Sequence, residues 1–64
     1  MTLGKILEGM QIVSKYAKPE SYCVQAEHDQ LWCGAYDLPL TDEDKKRMED
    51  LGWFEAEDSW SCFV

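Results

Sequence analysis

The chain has 64 residues, of which 45% are hydrophobic and 30% are charged. This is enough for one small domain, residues 1–64, because domains begin near ~50 residues, and a domain of this size leaves little volume for a large enclosed pocket. Thirteen acidic residues against six Lys and Arg give a net charge of −7, which argues against direct binding to nucleic acid or to an anionic membrane.

No segment approaches the ~20 consecutive apolar residues of a transmembrane helix, so the sequence predicts a cytoplasmic protein. The three cysteines, Cys23, Cys33 and Cys62, are odd in number and widely spaced. Their spacing fits neither a zinc knuckle nor a disulfide framework. We therefore expect reduced thiols that pack as small apolar residues.

The first predicted element is an amphipathic helix that begins at Leu3. Its apolar residues recur at intervals of three and four and fall on one stripe: Leu3, Ile6, Leu7, Met10, Val13 and Ala17. Thr2 is placed to cap the first turn, and Pro19 ends the helix. Gly4 and Gly9 each cost about 1 kcal/mol relative to Ala in a helix interior, so this helix needs tertiary packing to form.

Residues 21–36 alternate between apolar and polar side chains, which predicts a β-hairpin. A two-residue turn at His28-Asp29 pairs position 26 with 31, 24 with 33, and 22 with 35, and all six fall on one face. The opposite face then carries Cys23, Gln25, Glu27, Gln30 and Trp32. In this register Cys23 and Cys33 lie on different faces and cannot form a disulfide.

A second helix follows the extended linker around Pro39. Thr41 is the expected N-cap, the helix is predicted from Asp42 to about Leu51, and Gly52 should end it in a left-handed conformation. The inward residues are Met48 and Leu51. This stripe is narrow, so we expect the helix to lie on the surface of a sheet.

The C-terminal residues mix aromatic side chains with a polar break at 57–59, which predicts a second hairpin. Two arrangements stay open. One buries Phe54, Ala56, Ser61 and Phe63. The other has a longer loop, buries Trp53, Trp60, Cys62 and Val64, and turns Glu55 inward near the sheet edge. We prefer this second arrangement because it buries more apolar area.

Together these elements predict an α+β fold in the order helix, hairpin, helix, hairpin (αββαββ). Two helices on one face of a three- or four-stranded antiparallel sheet would bury both apolar stripes. Residues 26–33 also align weakly with residues 56–62. That similarity is compatible with a duplicated αββ unit and equally with chance.

The tip of the first hairpin, Glu27-His28-Asp29, gathers three potential metal ligands. Adjacent residues in a turn diverge, and a structural zinc site needs four converging ligands, so an ordinary polar turn is favoured. The single histidine has no partner that the sequence can place beside it. We therefore predict no enzyme activity, no metal and no cofactor. A metal-dependent or thiol enzyme that uses His28, Asp29 and a cysteine is the weakest of three hypotheses.

The acidic residues are unevenly distributed along the chain. Residues 1–36 carry a net charge of −1, whereas residues 37–64 carry −6, with nine acids against three bases. This half is either a solubilising surface or one that docks on a basic partner. The candidate partner-binding acids are Asp42, Glu43, Asp44, Glu55, Glu57 and Asp58. Trp32 is the candidate apolar anchor, because its position in the hairpin predicts exposure.

Several short motifs resemble a group of known proteins. They are Ala26-Glu27-His28-Asp29, Trp32 with Gly34, Leu51-Gly52-Trp53, Asp58-Ser59-Trp60 and the ending Phe63-Val64. In these motifs the chain resembles short, acidic, uncharacterised proteins of phages, prophages and bacteria. The resemblance implies an origin in or near mobile elements, where small acidic proteins act as inhibitors or adaptors of host proteins.

The main hypothesis is therefore a non-enzymatic binding protein that docks on a host or phage protein through its acidic residues, through Trp32, or through both. The alternative is a structural or assembly component that self-associates, for example as a homodimer, through the open sheet face or an edge strand.

Overall fold

A computed structural model describes residues 1–21 and 23–64 of the chain. The elements are α1 (Leu3–Ser14), β1 (Val24–Glu27), β2 (Gln30–Ala35), α2 (Asp42–Leu51), β3 (Phe54–Ala56) and β4 (Ser59–Phe63). The four strands form one antiparallel sheet in the order β1-β2-β4-β3, and the two helices contact each other. The predicted αββαββ order and α+β class are confirmed.

Helix α1 begins as predicted, since the Thr2 hydroxyl accepts a hydrogen bond from the Lys5 amide at 3.3 Å. Its predicted apolar stripe is partly wrong, because Leu3 and Leu7 are 72% and 48% exposed while Ile12, which the stripe omits, is buried. The helix approaches the sheet through the side that carries Gly9. Leu7 lies about 160° round the helix from Gly9 and therefore faces away from the core.

Helix α2 matches its prediction at both ends. The Thr41 hydroxyl accepts a hydrogen bond from the Asp44 amide at 3.1 Å, and Gly52 ends the helix in the left-handed region with φ 99°. Met48 is fully buried and Leu51 is nearly so. Because both side chains join the core, α2 packs with α1 on one side of the sheet.

The first hairpin also has the predicted register. Val24 is paired with Cys33 and Ala26 with Leu31, and the turn lies at residues 28–29. In the predicted pair 22 with 35, residue 22 lies outside the described residues. The predicted placement of Ala35 on the same face as Leu31 and Cys33 is wrong, because the register shift after Trp32 pairs Ala35 with Ser59 on the other face. Strand β1 is more exposed than its apolar positions suggest: Val24 is 61% exposed, since β1 forms an edge of the sheet that the helices do not reach.

The second hairpin buries the side that the sequence favours, but its turn is shorter than expected. Trp53, Trp60 and Cys62 are buried, whereas Val64 follows the last strand and is 56% exposed, so its predicted burial is wrong. The turn is two residues long, because Ala56 pairs directly with Ser59. Both turn residues adopt positive φ values, 54° and 62°, which matches the twist of a tight hairpin.

The core lies between the helices and one face of the sheet. It contains two residues of α1, two of α2, and the side chains of β2, β4 and the loops that point toward them: Ile12, Val13, Cys33, Leu40, Met48, Leu51, Trp53, Trp60 and Cys62. Neither of the two described helices lies over the opposite face of the sheet. We call that helix-free side the open face.

Candidate protein-binding face

The open face is defined by the register of the four strands. The central row across the sheet runs Gln25, Trp32, Ser61, Phe54. On one side of it lies the row Glu27, Gln30, Phe63, and on the other the row Ala35, Ser59, Ala56. These ten side chains share one face because residues paired directly across strands point the same way.

The centre of the open face holds a buried hydroxyl group, that of Ser61, whose hydrogen bonds are satisfied. Ser61 is 0% exposed, and its hydroxyl donates to the Leu31 carbonyl at 2.9 Å and accepts from the Gln30 side-chain amide at 2.9 Å. The rings of Phe54 and Phe63 lie beside it with centroids 5.2 Å apart. Phe63 is 55% exposed, so this part of the face presents aromatic surface to solvent.

Trp32 lies on the open face, as its place in the alternating pattern of the hairpin predicts, but it is partly buried rather than fully exposed. Its indole Nε1 is buried and has no hydrogen-bond partner among residues 1–21 and 23–64. The side chain lines an open cleft of about 460 Å³. Large pockets are improbable in so short a chain, so sequence reasoning did not anticipate this cleft.

The cleft exists because β2 is interrupted beside Trp32. A β-bulge between Trp32 and Ala35 shifts the register against β4, and Gly34 within it adopts φ 83°. Next to the large indole the strands place the small residues Ala35 and Ser59, which leave space above the backbone. Bulges bend a strand and redirect its side chains, and this one opens the cleft.

The structure brings together only two of the seven predicted partner-binding residues, Trp32 and Glu57. Glu57 occupies the β3–β4 turn and lines the same cleft as Trp32. Glu55 pairs with Trp60 on the helix-facing side of the sheet, where it is exposed at the edge. Its carboxylate accepts a hydrogen bond from the Asp58 amide at 2.8 Å and so supports the turn.

The three acids of α2 belong to the helical layer. Asp42 and Glu43 are exposed in its first turn. Asp44 is engaged within the molecule: its carboxylate lies 2.8 Å from the Lys15 ammonium and accepts a hydrogen bond from the Tyr16 hydroxyl. These hydrogen bonds, first from Lys15 and then from Tyr16, lower the pKa of Asp44. Asp44 therefore ties α2 to the end of α1 rather than presenting a free charge.

A second ion pair joins the helices. The Arg47 guanidinium binds the Glu8 carboxylate through two hydrogen bonds, of 2.5 and 2.9 Å. The Arg47 hydrogen bond lowers the pKa of Glu8, and the same contact raises the pKa of Arg47. Asp44 and Arg47 of α2 are thus each paired with an opposite charge of the α1 segment.

The charges separate by layer. All six Lys and Arg residues lie in the helices or just after α1: Lys5, Lys15, Lys18, Lys45, Lys46 and Arg47. With seven acids, the helical segments 1–21 and 41–52 carry a net charge of −1. The sheet segments and their turns, 23–40 and 53–64, carry six acids and no base, a net charge of −6. A comparison of the two halves of the chain misses this separation. The gaps between basic residues are the signal in the sequence that reveals it.

The predicted metal-ligand candidates at the first hairpin tip point into solvent. The His28 and Glu27 side chains are 87% and 63% exposed, with 3.8 Å between Nε2 and Oε1. In the described part of the chain, no group of three or more His, Cys, Asp or Glu residues is arranged to hold a metal ion. No helix in the same part of the chain has the length and apolar character needed to cross a membrane.

The three cysteines are free thiols. Cys33 and Cys62 are buried on the helix-facing side of the sheet, whereas Cys23 is half-buried beside β1. Burial raises the pKa of the Cys33 thiol to about 11 and also raises the pKa of Cys62. Both buried thiols therefore remain protonated near neutral pH and act as small core residues, which agrees with the sequence-based expectation.

Comparisons with known proteins returned no relatives for this chain. No protein-family model matches it. Searches among curated proteins and among solved structures also gave no match.

Proposed function

We propose that this protein is a non-enzymatic binding protein that docks through its open face on the basic surface of a protein partner. One observation carries the proposal: the sheet segments and their turns hold six acids and no base, among them Glu27 on the open face and Glu57 at its cleft, while every Lys and Arg belongs to the helical segments. A surface of one charge sign steers a partner of the opposite sign and fixes its orientation.

The open face also offers apolar contacts for such a partner. Trp32, Phe54 and Phe63 lie on it, and the two phenylalanine rings pack together beside the buried hydroxyl of Ser61. Aromatic residues are the commonest anchors of protein interfaces, because they bury a large area at little cost in side-chain entropy. The acids would then orient the partner while the aromatic residues hold it.

The helical layer is a poorer candidate for this role. Its acids are nearly matched by bases, and Asp44 and Glu8 already bind Lys15 and Arg47. We therefore assign docking to Trp32 on the open face, to Glu57 in the adjoining β3–β4 turn and to Glu27 at the opposite end of the open face. Asp42 and Glu43 are left outside. The partner is a host or phage protein that the small protein inhibits or bridges, as the resemblance to proteins of mobile elements implies.

A matched pair of charge reversals tests the proposal. The variant Glu27→Lys/Glu57→Lys reverses one charge on the open face and one in the adjoining β3–β4 turn, and the control Asp42→Lys/Glu43→Lys makes the same change of +4 on α2. Tagged wild type and both variants are used to capture proteins from bacterial lysate at 0.1 M salt. We expect a stoichiometric partner that wild type and control retain and the open-face variant loses. Equal retention by all three proteins, or loss in the control alone, would contradict docking through the sheet.

A second candidate function, self-association, is favoured by the exposed edge strand β1. All four of its residues are exposed. The Gly34 amide donates to the Cys23 carbonyl at 2.9 Å, and hydrogen-bonded pairs alternate along an antiparallel ladder, so the backbone groups of Val24 and Ala26 point outward. Such an edge can pair with β1 of a second copy.

Ala26→Pro separates this candidate from the first. Proline removes only the outward amide of residue 26, so the hairpin should survive while edge pairing is blocked. Sedimentation equilibrium of wild type and Ala26→Pro over a range of concentrations gives the comparison. A wild-type dimer that Ala26→Pro converts to a monomer supports self-association. A wild type that stays monomeric throughout removes this candidate and leaves docking on a different protein.

A further inference from the structure

The cleft beside Trp32 has a composition that selects one kind of side chain. From the described residues we infer that it takes the guanidinium of an arginine on the partner, which lies against the Trp32 ring and pairs with the Glu57 carboxylate. This inference rests on the proposed docking function and names the contact that anchors it.

The size and lining of the cleft allow a side chain of the partner to enter. Its volume is about 460 Å³, which falls within the roughly 300–1,000 Å³ typical of sites that receive a small group. The small residues Ala35 and Ser59 leave room for a side chain to enter. Gln25 and Glu57 also line it and can form hydrogen bonds, and among the described residues Trp32 provides the one aromatic ring.

The charge of the cleft lining favours a cation. Glu57 is the only charged residue that lines the cleft among those described, and it has no ion pair with any described Lys or Arg. The nearest bases in sequence lie in the helical segments, since residues 19–44 and 48–64 contain neither Lys nor Arg. A cation from outside the molecule is therefore the complementary partner for this carboxylate.

The local backbone holds Glu57 in place. Both turn residues have positive φ values, the Asp58 amide donates to the Glu55 carboxylate, and the Asp58 carbonyl accepts from the Tyr36 amide at 2.9 Å. The turn is thus fixed to the end of β2 rather than free to swing. A carboxylate on an ordered turn loses less backbone entropy when it binds than one on a mobile loop.

Arginine suits this pair of groups better than lysine. Its planar guanidinium stacks on an aromatic face and donates to a carboxylate in a fixed geometry, whereas the lysine ammonium is compact and strongly hydrated. Gln25, which also lines the cleft, has a side-chain amide oxygen that can act as a further acceptor. A partner segment with an exposed arginine would therefore place it in this cleft.

Three short peptides test the assignment by nuclear magnetic resonance. Acetyl-Gly-Gly-Arg-Gly-Gly-amide, its lysine analogue and its uncharged citrulline analogue are titrated separately into labelled protein. We expect saturable shifts of the Trp32 indole N–H and of the amides near residues 25 and 57 with the arginine peptide. The lysine and citrulline peptides should bind roughly fivefold more weakly. Equal affinity for arginine and either analogue would overturn the assignment.

Matched variants locate the contact. Glu57→Gln should weaken the arginine peptide about fivefold, whereas Glu43→Gln, which removes one charge from α2, should leave its affinity unchanged. Retained spectral dispersion shows that each variant is folded. Equal affinities for Glu57→Gln and Glu43→Gln would overturn the cleft assignment. Suppose that these two affinities are equal. If Glu27→Lys/Glu57→Lys still abolishes partner capture, only the arginine contact is wrong; if partner capture persists, the docking proposal is wrong as well.

Discussion

Gly9 of α1 lies directly against the indole ring of Trp53. A Cβ atom at residue 9 would stand 2.1 Å from Trp53 Nε1 and 2.3 Å from the next ring atom, distances that real contacts do not reach. The same Nε1 donates a hydrogen bond to the Lys5 carbonyl at 3.3 Å. The glycine that weakens α1 as an isolated helix is therefore what lets the helix approach the core.

Gly9→Ala should destabilise the protein by about 1–3 kcal/mol, because the added methyl group forces Trp53 or the whole helix to move. Gly4→Ala is the matched control, since a Cβ at residue 4 meets nothing within 4 Å and should gain about 0.5–1 kcal/mol of helix stability. Urea unfolding followed by circular dichroism measures both. The explanation fails if the two variants shift the midpoint in the same direction.

Asp58→Gly should stabilise the second hairpin. Asp58 adopts φ 62°, a left-handed conformation that costs roughly 1–2 kcal/mol for a residue with a Cβ and little for glycine. Its two turn-supporting hydrogen bonds use backbone atoms and survive the change. We expect a rise in Tm of at least roughly 4 °C for a chain of this size. Asp29→Gly, at a turn residue without positive φ, should give no such rise.

Stability should fall in acid as the two helix-joining ion pairs are lost. The pKa values of Asp44 and Glu8 are lowered in the folded state, mainly by hydrogen bonds from Lys15 and Arg47. Their contribution is complete above the unfolded-state pKa of about 4 and disappears as the pH falls through the lower folded-state pKa. Unfolding free energies measured from pH 6 to pH 2.5 should show this loss.

Double variants identify the groups responsible for that acid dependence. Glu8→Gln/Asp44→Asn should be less stable at pH 6 and should lose less stability in acid than wild type. Glu20→Gln/Glu49→Gln removes the same number of charges from exposed acids that form no ion pair with a described residue. That control should retain the wild-type pH dependence. Identical pH profiles for both double variants would show that general charge repulsion, rather than the ion pairs, governs the effect.

One of the three thiols should react much faster than the others. Cys23 is half-buried, whereas Cys33 and Cys62 are buried, and a pKa of about 11 for Cys33 leaves roughly one thiolate in a thousand or fewer at pH 7.5. Iodoacetamide labelling followed by mass spectrometry should therefore modify residue 23 first. Cys23→Ser should abolish the fast phase. Three equal rates in the folded protein would contradict the burial of Cys33 and Cys62.

Local signals in the sequence predict local structure well here. The bounds of α2 follow from a capping threonine, three acids and a terminal glycine, and the β1–β2 register follows from alternation around a two-residue turn. The pairing of β2 with β4 does not follow from either hairpin, because it joins residues about thirty positions apart. Once this pairing is known, the open face and its central row are determined.

The candidate site depends on that non-local pairing. Trp32 and Glu57 meet at one cleft only because β4 lies beside β2 and a bulge at Gly34 opens the space between them. Asp44 depends on non-local packing in the same way. Its position at the N-terminus of α2 follows from the sequence, but its contacts with Lys15 and Tyr16 require the two helices to be adjacent. Counting charges along the chain therefore identifies the excess of acidic residues correctly but assigns part of that excess to the helices rather than to the sheet.

Hydrogen exchange on the isolated protein and on its complex with the captured partner tests docking through the open face most directly. The account predicts that binding slows exchange in residues 24–35 and 54–63, with the largest change near Trp32 and the turn at Glu57, and leaves α2 unchanged. Protection confined to α1 and α2, with the strands exchanging as in the free protein, would contradict it.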